Sequence, residues 1–380
     1  MSESTTESRN DESDRAAEGE EEPLLSLKNI EVHFKQGGLL QRVLGEEAVR
    51  AVDDVSLDIY ENDVIALVGE SGCGKTTLGK TAIGLQRPTG GTVEFRGEDF
   101  WEVPEEERSE LRRALQIIHQ DPAGALNPNR TVRSTLAEPL KRWNPDMGPG
   151  ERESQINELL ERVGMTPAHD YATRYPHQLS GGEQQRVALG RALLMEPDII
   201  LADEAVSALD VSLRIEMMDL LLELQDFVDT SYVFISHDLA NARYLAEKSD
   251  GRIGVMYLGN LVEIGSVDQI LKNPQHPYTK VMLWSTPVLN PDIAEKTANQ
   301  APPVRQIDVP DPADPPSGCP FQTRCPEARE VCAQQDPDRT ETEDGHEVAC
   351  FRQEPDHDYW QSPPLEEPQP GEAVEGTTQN

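Results

Sequence analysis

Gly69, Gly74, Lys75 and Thr76 fall at the spacing G-x-x-x-x-G-K-T within the segment GESGCGKT. An apolar run, Val64 to Val68, precedes this loop, and residues with helical spacing, Leu78 to Leu85, follow it. Glycines let backbone N–H groups close around a phosphate, and a helix N-terminus adds positive partial charge. In that setting Lys75 reaches the β- and γ-phosphates of ATP, Thr76 ligates Mg²⁺, and Ser71, Gly72, Cys73 and Thr77 complete the wall. Cys73 reads as a small spacer, since Lys75 is its only basic neighbour in sequence. Further along, the apolar run Ile199 to Leu201 ends in Asp203 and Glu204. Asp203 is suited to hold Mg²⁺ directly or through water, and Glu204 to orient and deprotonate an attacking water. Apolar strands ending in acids are common, so this pair gains its meaning from the phosphate loop before it. In LSGGEQQR, the residues Ser180, Gly181, Gly182 and Glu183 open a helix whose free N–H groups form a second anion site.

These loops need an alternating scaffold. Leu27, Ile30, Val32 and Phe34 alternate as in a strand that Gly37 and Gly38 break, and VDDVSLDI, VIALVG, GTVEFRG and LQIIHQ read as further strands. INELLERVG and the stretch after Gly182 have helical spacing, as do Leu213, Met217, Leu220, Leu221 and Leu224 behind the capping residue Asp210. YVFIS returns as a buried strand, and RIGVMYLG with NLVEIG forms a hairpin. Ser266 and Gln269 make a capping box for a short helix ending near Leu271. Alternation of strands and helices points to an α/β core. Residues 1–23 and 353–380 are too polar to offset the entropy of ordering and are expected to be disordered. The region between them divides into a core over 24–289, with a helical subdomain over about 121–185, a Pro-rich linker over 290–317 and a Cys-containing region over 318–352.

Seventy acidic against 34 basic residues give a formal charge of −36, which repels nucleic acid and anionic headgroups. Acid is spread along the core as well as the tails, and Arg outnumbers Lys, a balance resembling proteins of halophilic archaea. No apolar run is long enough to cross a bilayer, and the N-terminus has no secretory-type apolar stretch. The chain is therefore expected in the cytoplasm, with any membrane contact made through partners.

Taken together, the ordered motifs resemble the ATP-binding cassette (ABC) ATPases over about Leu24 to Ser285. Gln120 lies at the family's Q-loop position, SALD with Asp210 matches its D-loop, and His237 matches its switch histidine. The resemblance implies an ABC-type nucleotide-binding domain, with a RecA-like P-loop core and a helical signature subdomain, that hydrolyses ATP. It implies catalytic roles for Glu204, His237 and Gln120, and an Mg²⁺ site of Thr76, Gln120 and Asp203. Two cassettes would pair head to tail, so that Ser180 to Glu183 act in trans. Phe34 occupies the position of the adenine-stacking aromatic, although a core strand residue fits its spacing equally well. Ala205, Glu183 and His119 depart from the common pattern without removing a reacting group.

HQDPAGALNP, VMYLGNLVEIG and NPQHPYTKVMLWSTP narrow the match to a group similar to dipeptide and oligopeptide transporter ATP-binding subunits. That likeness implies two transmembrane permease subunits, a second homologous ATPase subunit and an external peptide-binding protein as partners; relatives carrying nickel or other solutes leave the substrate open. A soluble ABC mechanoenzyme is the competing class, and the acidity and the lack of a long coiled-coil insertion oppose it. A non-hydrolysing regulatory cassette is opposed by Glu204 and His237. The C-terminal appendix carries Cys319, Cys325, Cys332 and Cys350, similar to the same subunits. Four thiolates suit Zn²⁺ or a 4Fe-4S cluster, their gaps being wide for a zinc ribbon and the resemblance favouring iron–sulfur; four unligated thiols in a small lobe are the plainer alternative.

Overall fold

The computed structural model describes residues 22–35, 48–286, 303–306 and 308–366. The tail up to residue 21, the Gly37–Gly38 break, the stretch over 287–302 and residues from 367 onward lie outside the described residues.

Two sheets and a helical layer carry the site. Strands β1 (Leu25–Lys35), β2 (Ala48–Ile59), β4 (Gly90–Phe95) and β5 (Glu98–Asp99) form an antiparallel sheet in the order β2-β1-β4-β5. The larger sheet has the order β11-β12-β10-β9-β3-β8-β7-β6. Its strands are β3 (Val64–Val68), β6 (Leu115–Ile118), β7 (Ile199–Asp203), β8 (Ser231–Ser236), β9 (Arg252–Tyr257), β10 (Asn260–Ser266), β11 (Thr340–Glu343) and β12 (His346–Val348). From β9 to β6 neighbouring strands run parallel, whereas β9, β10, β12 and β11 pair antiparallel.

The parallel strands read as unbroken apolar runs because both their faces are covered. Along β3, Ile65 and Leu67 pack with Leu78 of α1 (Lys75–Ala82) and with Val93 and Phe95 of the antiparallel sheet. Val64, Ala66 and Val68 face the opposite core, beside Leu245 of α9 (Leu239–Ser249). Each large side chain so covered contributes about 1.5–3 kcal/mol relative to exposure. Helix α2 (Arg108–Ala114) leads into β6. Between β6 and β7 lie α3 (Pro122–Ala125), α4 (Val132–Trp143), α5 (Pro149–Arg162), α6 (Ala168–Ala172) and α7 (Gly181–Leu193). Their shared core includes Leu136, Leu140, Ile156, Leu160 and Leu189. Asp210 caps α8 (Val211–Val228), its carboxylate accepting from the N–H groups of Ser212 and Leu213 at 3.1 Å. Ser266 and Gln269 form the expected box on α10 (Val267–Lys272), and His276 caps α11 (Pro277–Ser285).

The cysteine-bearing region is part of the main sheet rather than a detached appendix. Strand β12 pairs with β10, Glu263 opposite Val348 and Ile264 opposite Glu347. Glu263 is fully buried there and accepts from His346 Nε2 at 2.8 Å and from the N–H groups of Gln275 at 2.7 Å and His276 at 3.0 Å. Burial alone would raise the Glu263 carboxyl, but His346, Thr279 and the two backbone donors outweigh it and hold it below the ordinary value. The region also extends past its expected end at residue 352. Within 353–366, Tyr359 is buried and donates to the Glu327 carbonyl at 2.7 Å, and the Leu365 N–H donates to the Ala328 carbonyl at 2.9 Å. Aromatic side chains inside an otherwise acidic stretch give these residues a surface to bury, which a composition average hides.

Candidate nucleotide site

The chemistry-bearing residues gather at the C-terminal ends of the parallel strands, where open α/β sheets bind ligands. From β3 the chain enters Gly69 to Thr76 and turns directly into α1. Gly74 has φ +103°, and a Cβ there would collide with the Ala51 carbonyl of β2, so only glycine permits this close approach. Lys75 is 5 % exposed, with Nζ donating to the Gly69 carbonyl at 2.9 Å and the Glu70 carbonyl at 3.0 Å. Cys73 is buried behind the loop, and burial raises its thiol pKa despite the nearby Lys75. A raised pKa favours the neutral thiol, which fits a small spacer. Ser71 and Gly72 are exposed at the loop's tip, while Thr77 continues α1.

Thr76 Oγ1 donates to Asp203 Oδ1 at 2.7 Å, across from the end of β3 to the end of β7. A hydroxyl and a carboxylate side by side form a hard-oxygen pair that fits Mg²⁺. One residue on, Glu204 has φ +49°, an uncommon left-handed conformation for a side-chain-bearing residue. Its N–H donates to the Ile235 carbonyl at 3.1 Å, and its Oε1 lies 3.4 Å from His237 Nδ1, just beyond β8. Thr76 with Asp203 and Glu204 with His237 thus form two adjoining pairs.

Gln120 is exposed where the chain leaves β6, the neighbour of β7. His119 beside it has its imidazole pKa lowered, first by burial and then by Lys80, against the pull of Asp203. Phe34, at the end of β1, is 43 % exposed, which removes the core-strand reading and leaves its ring open to a partner. Ser180 caps α7: its hydroxyl accepts from the Glu183 N–H at 3.3 Å, and the Glu183 carboxylate accepts from the Ser180 N–H at 2.6 Å. Burial pushes the Glu183 carboxyl up, but Ser180, Tyr171 and Arg174 together hold it below the ordinary value. Among the described residues no hydrogen bond joins this end of α7 to the phosphate loop of the same chain.

Two positioning residues are absent from the motif reading. Gln185, 2 % exposed on α7, donates to the Ala205 carbonyl at 2.8 Å and to the His119 carbonyl at 3.3 Å, tying three functional segments together. Tyr278 of α11 accepts the Glu70 N–H on its hydroxyl at 3.0 Å. Gln185 lies inside LSGGEQQR and Tyr278 inside NPQHPYTKVMLWSTP, so their segments are visible in the sequence though their partners are not.

Cys319, Cys325, Cys332 and Cys350 line one cavity with Phe321 and Tyr359. Burial raises all four thiols, Cys325 to about 12 and Cys350 to about 11. Among the described residues no group of three or more His, Cys, Asp or Glu side chains is arranged to hold a metal ion. The expected 4Fe-4S or Zn²⁺ site is corrected accordingly: the four cysteines share one cavity but form no metal-holding group among the described residues.

The ABC transporter family pattern matches residues 52–207, and the pattern described as oligopeptide/dipeptide transporter, C-terminal region, matches 262–332. The chain is 42% identical to the oligopeptide transport ATP-binding protein AppF of Bacillus subtilis, over 87% of this chain and 97% of that one. It belongs to the oligopeptide and dipeptide ABC ATP-binding subunit family. The Salmonella typhimurium oligopeptide transport ATP-binding protein OppF is 38% identical over 87% of this chain and 97% of its own length. In structure, the ATP-binding cassette MJ0796, seen as a dimer in a post-hydrolysis state with ADP and Pi, matches with TM-score 0.55 and 29% identity, covering 64% of this chain and 98% of that one. CbiO1 from Clostridium perfringens, at 20% identity and TM-score 0.57, shares the fold, covering 73% of this chain and 99% of its own. The chain is an ABC-type ATPase that binds ATP with Mg²⁺. No described helix is long and apolar enough to cross a membrane.

Proposed function

We propose that this chain hydrolyses ATP to drive uptake of di- or oligopeptides through a membrane complex. The observation that carries the reading is the match of both regions, cassette and C-terminal, along 97% of a peptide-transport ATP-binding relative. Lys75 and the loop N–H groups hold the β- and γ-phosphates, and Phe34 stacks on adenine. Thr76, Asp203 and Gln120 hold Mg²⁺, which neutralises phosphate charge. Glu204 takes a proton from the attacking water, and His237, 3.4 Å away, positions it against the γ-phosphate. Ser180, Gly181, Gly182 and Glu183 reach the ATP of a partner cassette, and Asp210 shapes the segment between the two. Two permeases, a second homologous ATPase and an external peptide-binding protein complete the complex, with this chain peripheral on the cytoplasmic face.

For the cysteine cavity we propose a 4Fe-4S cluster rather than zinc. The support is that Cys319, Cys325, Cys332 and Cys350 all line one cavity. Its thiols must lose protons to bind, so occupancy falls in acid. Iron and sulfide analysis of anaerobically purified protein tests it; colourless, iron-free protein with the native fold refutes it. The charge of −36 we assign to a surface adapted to concentrated salt, as in halophilic archaea.

Coexpression with candidate permeases tests the transport reading. ATP-dependent uptake of labelled dipeptide into vesicles supports it. Nickel uptake without peptide uptake moves the substrate, and an ATPase that never associates with membrane subunits overturns the reading.

A further inference from the structure

Glu70 is the second residue of the phosphate loop, a position where a carboxylate adds negative charge to the segment that must receive a highly charged anion. Its charge is met from the far end of the chain. Arg324 Nη1 lies 3.0 Å from Glu70 Oε1 and 3.1 Å from Oε2, and 3.5 Å from the Tyr257 hydroxyl. The guanidinium is 7 % exposed and lies over the rings of Tyr257 and Phe321 at 5.7 and 5.8 Å. Phe321 in turn meets Tyr257 edge-on at 5.2 Å and Tyr278 at 5.5 Å, so an aromatic wedge fixes where Arg324 points. Glu70 is thereby gripped at three points: its N–H by Tyr278, its carbonyl by Lys75 and its carboxylate by Arg324.

We propose that Arg324 is a positioning residue for ATP binding, through which the cysteine-bearing region neutralises and anchors the phosphate loop. Three observations favour this over a plain structural ion pair. Arg324 Nε is buried without a partner among the described residues, a cost that a packing role alone would remove with an apolar side chain. The pair joins a loop that must hold one shape to a segment outside the matched cassette residues 52–207. Both carboxylate oxygens engage the same nitrogen, drawing the negative charge of Glu70 towards the C-terminal region. Burial works against the charged guanidinium, but the Tyr257 hydroxyl and the Glu70 carboxylate hold its proton more tightly than in water.

The test uses the full chain, with equilibrium binding of a fluorescent ATP analogue and steady-state ATPase assays, and melting temperature alongside. Arg324→Ala is expected to raise the ATP Kd and KM about tenfold, the scale of one lost charged hydrogen bond, with a smaller change in kcat. Arg324→Lys should recover part of the affinity. In a Glu70→Gln background, removing Arg324 should cost little more, because the charge it neutralises is gone. Arg324→Ala with wild-type Kd and KM and only a lower melting temperature overturns the proposal. So does a full additive loss in the Glu70→Gln background. Should Arg324→Ala not fold, the Lys variant and the Glu70→Gln, Arg324→Ala double variant decide by the same readouts.

Discussion

Glu204 and His237 meet at 3.4 Å although they follow the ends of different strands, β7 and β8. Parallel pairing of those strands, Asp203 opposite Ile235, fixes their relative height, so the contact follows from sheet register and not from a local loop. A carboxylate beside an imidazole at that spacing suits a base steadied by a neighbour.

Replacing Glu204 with Gln should keep ATP bound while lowering kcat by about 100-fold or more, the usual scale for a lost general base. Gel filtration with ATP should then show a longer-lived dimer. Turnover near that of the wild type would assign the proton transfer to another group.

Lys75→Ala removes the ammonium that bonds to the carbonyls of Gly69 and Glu70, and with it the charge offered to the phosphates. Nucleotide titration should show affinity reduced by about tenfold or more. Thr76→Val should act differently. Loss of the 2.7 Å bond to Asp203 should raise the Mg²⁺ concentration needed for half-maximal hydrolysis; an unchanged Mg²⁺ requirement would exclude Thr76 from the metal site.

His276 gives a pH signature of stability. Burial pushes its imidazole down to about 4, against the pull of Glu263 and helped by Lys280 and Arg352. In an unfolded chain it titrates near 6.5, so between about 6.5 and 4 the unfolded state takes up a proton that the folded state refuses. Stability is complete above that window and falls with pH through it, by up to roughly 3 kcal/mol. Glu263, held below its ordinary value, adds a further loss in stronger acid. His276→Asn retains a helix-capping side chain, so denaturant titrations of this variant should show a flatter slope over the window. An unaltered slope would place the proton uptake elsewhere.

Salt should stabilise the chain. With a formal charge of −36, raising KCl towards molar concentrations shortens the screening length to about 3 Å and should lift the melting temperature. A flat or falling curve would reject adaptation to concentrated salt.

What was legible in the sequence was local. The phosphate loop, Asp203 with Glu204, and the Ser180 helix start each depend on neighbours in the chain, because backbone turns and strand ends are built that way. Phe34 is ambiguous in sequence because alternation places a residue on a face without saying whether that face is covered; in the fold it is 43 % exposed. Gln185 to Ala205 and Tyr278 to Glu70 were invisible, since each depends on elements brought together by the whole fold. The extent of the C-terminal region is hidden in sequence for a related reason: Tyr359 and Leu365 are ordered by partners at Glu327 and Ala328 that their own composition does not announce.

Pairing of β10 with β12 also sets a schedule for synthesis. Until residue 348 has left the ribosome, the nucleotide-binding sheet carries an open hydrogen-bonding edge at β10, the kind of edge on which unfinished chains stick to one another. The catalytic half therefore exposes this edge until the C-terminal region pairs with it. Shortened versions ending after α11 would retain every hydrolytic motif and still be prone to aggregate.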